Sequence, residues 1–92
     1  MKINWVHNNN PMFETSRVSA FYLKEKNILL ECLASGNFTK IDSWSFAIAQ
    51  EENKNLQPQT IKFTSKNFSS KEECLAIAEK TLEAFIESGI LK

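Results

Sequence analysis

Apolar residues recur at helical spacing in one stretch of the chain and at alternating positions through most of the rest. Cys74, Leu75, Ala78, Leu82, Phe85 and Ile86 share one side of a 3.6-residue helix, with Ile77 on its flank. Glu79, Lys80, Glu83 and Glu87 fall on or near the other side. Ser70 stands three residues before Glu73, the spacing of a capping box. There the serine hydroxyl accepts from the Glu73 N–H and the Glu73 carboxylate reaches back to Ser70. Acidic Glu72 and Glu73 suit the positive end of the helix dipole. Gly89, just past Ser88, fits a left-handed stop that would let Ile90 fold back onto Phe85.

The preceding residues read as strands. Residues 2–7 alternate, with Ile3, Trp5 and His7 on one side. Residues 17–24 and 28–34 are rich in β-branched and aromatic side chains and flank Lys24-Glu25-Lys26-Asn27, a polar connection suited to a hairpin. Residues 43–50 set Trp44, Phe46 and Ile48 against Ser45, Ala47 and Ala49, and residues 60–64 set Ile61 and Phe63 against Thr60, Lys62 and Thr64. Turn chemistry separates them at Asn8-Asn9-Asn10-Pro11, at Ser35-Gly36-Asn37 and over residues 51–58. The expectation is an α+β fold in a single domain spanning residues 1–92. It is an antiparallel β-meander of four to five strands with one C-terminal α-helix packed across one face. Whether the strand at residues 2–7 lies centrally or at an edge is left open by the pattern.

One helix covers one face of such a sheet. Trp44, Phe46, Ile48, Ile61, Phe63, Ile28, Leu30 and Cys32 are its expected partners, and alternation sends Leu29, Glu31, Leu33, Ser45, Ala47, Ala49 and Lys62 to the opposite face. The strand at residues 17–23 adds either Val18, Ala20 and Tyr22 or Phe21 and Leu23. Small residues flanked by leucine suit packing against another surface, either a partner or the chain's own N-terminal segment or the loop around Phe38.

Composition narrows the class. The 92 residues are 42% hydrophobic and 24% charged with zero formal net charge, too apolar and too balanced for a disordered chain. The N-terminus shows no apolar signal core and the longest apolar run is five residues, so the expected setting is cytoplasmic with no membrane partner. In that setting Cys32 and Cys74 read as buried free thiols in preference to a disulfide. Residues 70–89 carry five Glu against two Lys, and the remainder nine Lys and Arg against six Asp and Glu, so the molecule is mildly bipolar.

Catalytic and metal chemistry have little to work with. His7 is the one histidine, and it lies in no nucleophile motif. Cys74, in the first helical turn, falls on the apolar side. Cys32, Cys74 and His7 are short of a four-ligand metal set, and two glycines allow no phosphate-binding loop. The reading is non-enzymatic, without cofactor, metal or catalytic residues. In element order alone, strands followed by one helix, the chain resembles the four-strand-plus-helix modules of single-stranded nucleic-acid-binding coactivators and of purine-rich-element-binding proteins. That resemblance implies a dimer with a basic, aromatic-bearing sheet. Arg17, Lys24, Lys26, Lys40, Lys62 and Lys66, with Phe21, Tyr22 and Phe38 nearby, are its candidate contacts, against a net charge of zero.

The leading expectation is therefore a small protein-binding module that acts as a homodimer or docks on a larger protein. Stand-alone domains of this size often act as adaptors, immunity-type proteins or phage or mobile-element inhibitors, and that prior sets the expected role. Candidate partner-binding residues are Trp5, Met12, Tyr22, Leu29, Leu33, Phe38, Ala47 and Ala49, since aromatic residues and Met are enriched at interface centres and small flat residues permit close approach.

Overall fold

The computed structural model describes residues 3–7, 17–37, 40–51 and 60–91. Five strands run in the order of the sequence: β1 (Val6–His7), β2 (Arg17–Leu23), β3 (Ile28–Asn37), β4 (Lys40–Gln50) and β5 (Thr60–Thr64). Every neighbouring pair is antiparallel, and one helix, α1 (Lys71–Ser88), follows. The fold is the expected meander plus helix. β1 sits at an edge, and its ladder is two residues long.

Lys24–Lys26 closes the β2–β3 hairpin as a 3-10 turn, and Asn27 ends it at φ 53°, a left-handed conformation that asparagine tolerates better than most side chains. β3 and β4 are longer than the alternation suggested, because Ser35-Gly36-Asn37 remains in the ladder. A register shift between Ser35 and Gly36 absorbs the irregularity, a common use of glycine in a strand.

Ile28, Leu30, Cys32, Ala34, Phe46 and Ile48 are buried on the side facing α1, which supplies Cys74, Ala78 and Leu82. Small Cys74 and Ala78 let the helix lie close over β3 and β4. Phe46 stands at the centre, its ring 5.6 Å from that of Phe63 and 6.3 Å from that of Phe68, and Phe63 meets Phe85 edge-on at 5.4 Å. The chain beyond β5 stays tied to β4 through paired backbone bonds between Trp44 and Phe68 and a bond from the Ser65 N–H to the Phe46 carbonyl. Trp5 and Ile3 pack against the same core, and the Trp5 indole N–H donates to Glu79 Oε1 at 2.7 Å, fastening the N-terminal segment to the helix.

The helix start differs in detail from a reciprocal capping box. The Ser70 hydroxyl accepts from the Glu73 N–H at 3.3 Å, as expected, but donates to Glu72 Oε2 at 3.1 Å. A bond from the Glu72 backbone N–H and the one from Ser70 hold the Glu72 carboxyl below its ordinary pKa. A carboxyl whose pKa is lowered on folding contributes stability above the usual carboxylate range and loses that contribution as pH falls through it. Ser70→Ala is expected to cost about 1 kcal/mol. In a thermal melt this is a drop of about 4–8 °C, without change in fold.

At the other end Gly89 adopts φ 78° and its N–H reaches the Ile86 carbonyl, the expected stop. The residue that folds back is Leu91, 3% exposed, and not Ile90, which is 63% exposed. Two residues past the left-handed glycine the chain has turned far enough to reach the core. Among the described residues no helix is long and apolar enough to cross a membrane.

Candidate functional site

The strand pairings fix which residues occupy the sheet face turned away from α1. Tyr22 is opposite Leu29, Leu29 opposite Ala49, and Ala49 opposite Ile61. These four form one apolar row across β2, β3, β4 and β5. A second row runs Val6, Ala20, Glu31, Ala47 and Thr64 across all five strands, and Leu33 lies opposite Ser45 beyond it. Between the two readings of β2, the register selects Ala20 and Tyr22 for this outer face and turns Ser19, Phe21 and Leu23 toward the core.

Ile61 corrects a sequence expectation. Simple alternation put it beside Phe63 under the helix. In the structure Ile48 is opposite Phe63 but Ala49 is opposite Ile61, so Lys62 is an extra residue and β5 carries a bulge. That one-residue shift swings Ile61 to the outer face, where it is 64% exposed.

The outer face is wet at its rim and tighter at its centre. Val6 is 73% and Tyr22 49% exposed, whereas Leu29, Leu33 and Ala47 are half-buried and Ala49 is buried. Ala49 in the first row, and Ala20 and Ala47 on either side of half-buried Glu31 in the second, are small side chains, and Tyr22, Leu29, Leu33, Val6 and Ile61 are the larger apolar groups of the face. The Tyr22 hydroxyl donates to Asn27 Oδ1 at 3.2 Å, which fixes the ring against the β2–β3 turn. The one helix among the described residues lies on the opposite side of the sheet. The described N-terminal residues Ile3 and Trp5 also lie there, so they do not roof the outer face.

Of the expected partner-binding residues, the structure gathers Tyr22, Leu29, Leu33, Ala47 and Ala49 on this face. Trp5 is placed elsewhere, half-buried against the core and bonded to Glu79. Met12 and Phe38 lie outside the described residues. Sequence reasoning did not single out Val6 or Ile61. Alternation of Ile3, Trp5 and His7 already implied the outward side for Val6, whereas no local signal marked the bulge that reorients Ile61.

The basic candidates occupy several places in the fold. Lys24 and Lys26 are exposed at the β2–β3 turn. Lys62 is the bulged residue of β5, and Lys66 places its ammonium 5.6 Å from the centre of the Phe68 ring. Arg17 begins β2 and Lys40 begins β4.

Two polar pairs lie on the core side. His7 Nδ1 and Ser19 Oγ are 2.7 Å apart, but Ser19 is fully buried, so its hydroxyl is presented to the imidazole and to no solvent-borne substrate. Next along the same cross-strand row, Cys32 is opposite Ser19, and its Sγ lies 3.3 Å from that of Cys74. Both thiols are free and fully buried. Their shared hydrogen bond pushes the Cys74 pKa far up, with burial adding to the shift, and pulls that of Cys32 down. Among the described residues no three His, Cys, Asp or Glu side chains converge to hold a metal ion. No protein-family model matches this chain, and neither a characterised protein nor a solved structure shows significant similarity to it.

Proposed function

We propose that this chain is a non-catalytic protein-binding module that self-associates through the outer face of its sheet. The observation that carries the reading is the uninterrupted row Tyr22, Leu29, Ala49, Ile61, whose two ends stay exposed although both are large apolar side chains. Three features favour a second copy as the occupant. A two-fold interface apposes a patch to itself, and the small side chains of Ala20, Ala47 and Ala49, which neighbour half-buried Glu31 at the centre, allow two sheets to reach the ~10 Å spacing of face-to-face packing. Zero formal net charge removes long-range repulsion between copies. Five strands spaced ~4.8 Å apart and about seven residues long give a footprint of roughly 500 Å² per copy, so the pair sits near the ~1,000 Å² that a specific interface needs.

An interface at that lower limit fits micromolar affinity. Sedimentation velocity and light scattering from 1 µM to 1 mM, roughly the range where such an equilibrium shifts, are expected to show a monomer converting to a dimer. A monomer throughout would overturn self-association by this face.

A second reading, single-stranded nucleic-acid binding, has one observation in its favour: exposed Lys24 and Lys26 stand at the same end of the sheet as exposed Tyr22. Retardation of an oligonucleotide at low salt, lost as salt rises, is the result that would favour it over the first.

A further inference from the structure

We infer that Cys32 and Cys74 form a closable thiol pair, a site of reversible oxidation by a low-molecular-weight disulfide such as oxidised glutathione. The product is a disulfide joining β3 to α1. The inference rests on geometry. Cys32 lies in the middle strand of the sheet and Cys74 in the first turn of the helix packed over it, 42 residues apart in sequence yet with sulfurs 3.3 Å apart. A disulfide bond of ~2.05 Å requires the sulfurs to approach by only about 1.3 Å more. The two side chains come from separate elements, so a small inward movement of the helix end supplies that approach without remodelling the sheet.

The chemistry balances as two thiol–disulfide exchanges. Cys32, as thiolate, attacks one sulfur of oxidised glutathione and expels a glutathione thiolate, leaving Cys32 in a mixed disulfide. The Cys74 thiol gives up its proton and its sulfur attacks the Cys32 sulfur, expelling a second glutathione thiolate. Two protein thiols have then lost two hydrogens and one oxidised glutathione has become two reduced molecules. The hydrogen bond from Cys74 favours the anionic form of Cys32, which suits it to the first step.

Burial sets the order of events. Both sulfurs are inaccessible in the closed fold, so the first exchange requires the start of α1 to lift from β3. The glutathionyl adduct is too large for the dry space between helix and sheet, so it holds the helix off until the second exchange releases it. Redocking brings the sulfurs together, and the linked state is the one that fits the closed core. The outer face lies across the sheet, so this inference stands independently of the proposed self-association.

The test uses the full chain, reduced and then equilibrated in buffers of increasing oxidised-to-reduced glutathione ratio. Samples are quenched with acid, alkylated and weighed intact. Expected is a folded protein whose single-chain mass is lighter by two hydrogens and which resists alkylation, with Cys32 and Cys74 recovered in one linked peptide. A cross-link closing about 43 residues should raise the thermal midpoint by at least ~10 °C, and reductant added to the same sample should reverse the rise. Cys74→Ala under the same treatment should show no rise, and reversal of the wild-type sample carries the comparison if that variant folds poorly. Glutathione adducts without the two-hydrogen loss, alkylation of both thiols at every ratio, or a linked form that melts below the reduced one would each overturn the inference.

Discussion

Phe46→Ala is expected to remove about 3–5 kcal/mol of folding stability, the range for truncating a buried phenylalanine to alanine. Phe46 is 1% exposed and its ring lies between those of Phe63 and Phe68, so truncation opens a cavity that no single neighbour can fill. Its strand is also held on both sides, by the long ladder with β3 and by the bonds to Ser65 and Phe68, so the backbone cannot collapse into the gap. A 92-residue domain is stable by about 5–14 kcal/mol, so this one change takes from a quarter of that margin to nearly all of it. Urea denaturation should show the midpoint falling sharply at an unchanged slope. A loss below about 1 kcal/mol would mean that the aromatic cluster does not anchor the helix to the sheet.

That core was legible in the sequence because its signals are local and repeated. Trp44, Phe46 and Ile48 alternate with small residues, and Cys74, Ala78 and Leu82 recur at helical spacing, so each element announces its own buried side. Once β3 and β4 are paired in register, Leu29, Leu33, Ala47 and Ala49 have no choice but the other face. What alternation could not reveal is where the period breaks. The bulge at Lys62 depends on how β5 meets β4, and no residue in 60–64 marks it, so Ile61 changed sides. The same limit hid the Cys32–Cys74 approach, the His7–Ser19 pair and the Trp5–Glu79 bond. All three join distant segments whose registers are set by the whole sheet. The return of Leu91 in place of Ile90 is a smaller case, in which the angle leaving Gly89 chooses between adjacent apolar residues.

Ile61→Lys separates the outer face from the core. Ile61 is 64% exposed in the free chain and belongs to the short edge strand β5, so its replacement by lysine should leave folding within about 0.5 kcal/mol of the parent. In a two-fold dimer built on the row Tyr22, Leu29, Ala49, Ile61 the substitution enters twice, once from each copy. Each lysine then either loses water without a partner or forces the sheets apart, and either costs at least about 2 kcal/mol per site. The combined penalty of about 4 kcal/mol corresponds to dissociation weakened by roughly a thousandfold. Coulombic repulsion adds to it wherever the two lysines approach one another, and this part should ease as salt rises. Sedimentation should therefore find the variant monomeric at concentrations where the parent is a dimer, while urea denaturation of the two gives the same midpoint once both are dilute enough to be monomers. Lys66→Glu, which changes a charge beside Phe68 and off the apolar row, should leave the dimer as it was. If Ile61→Lys dimerises as tightly as the parent, the contact between copies is made elsewhere; if it unfolds, Ile61 is doing core work that its exposure denies.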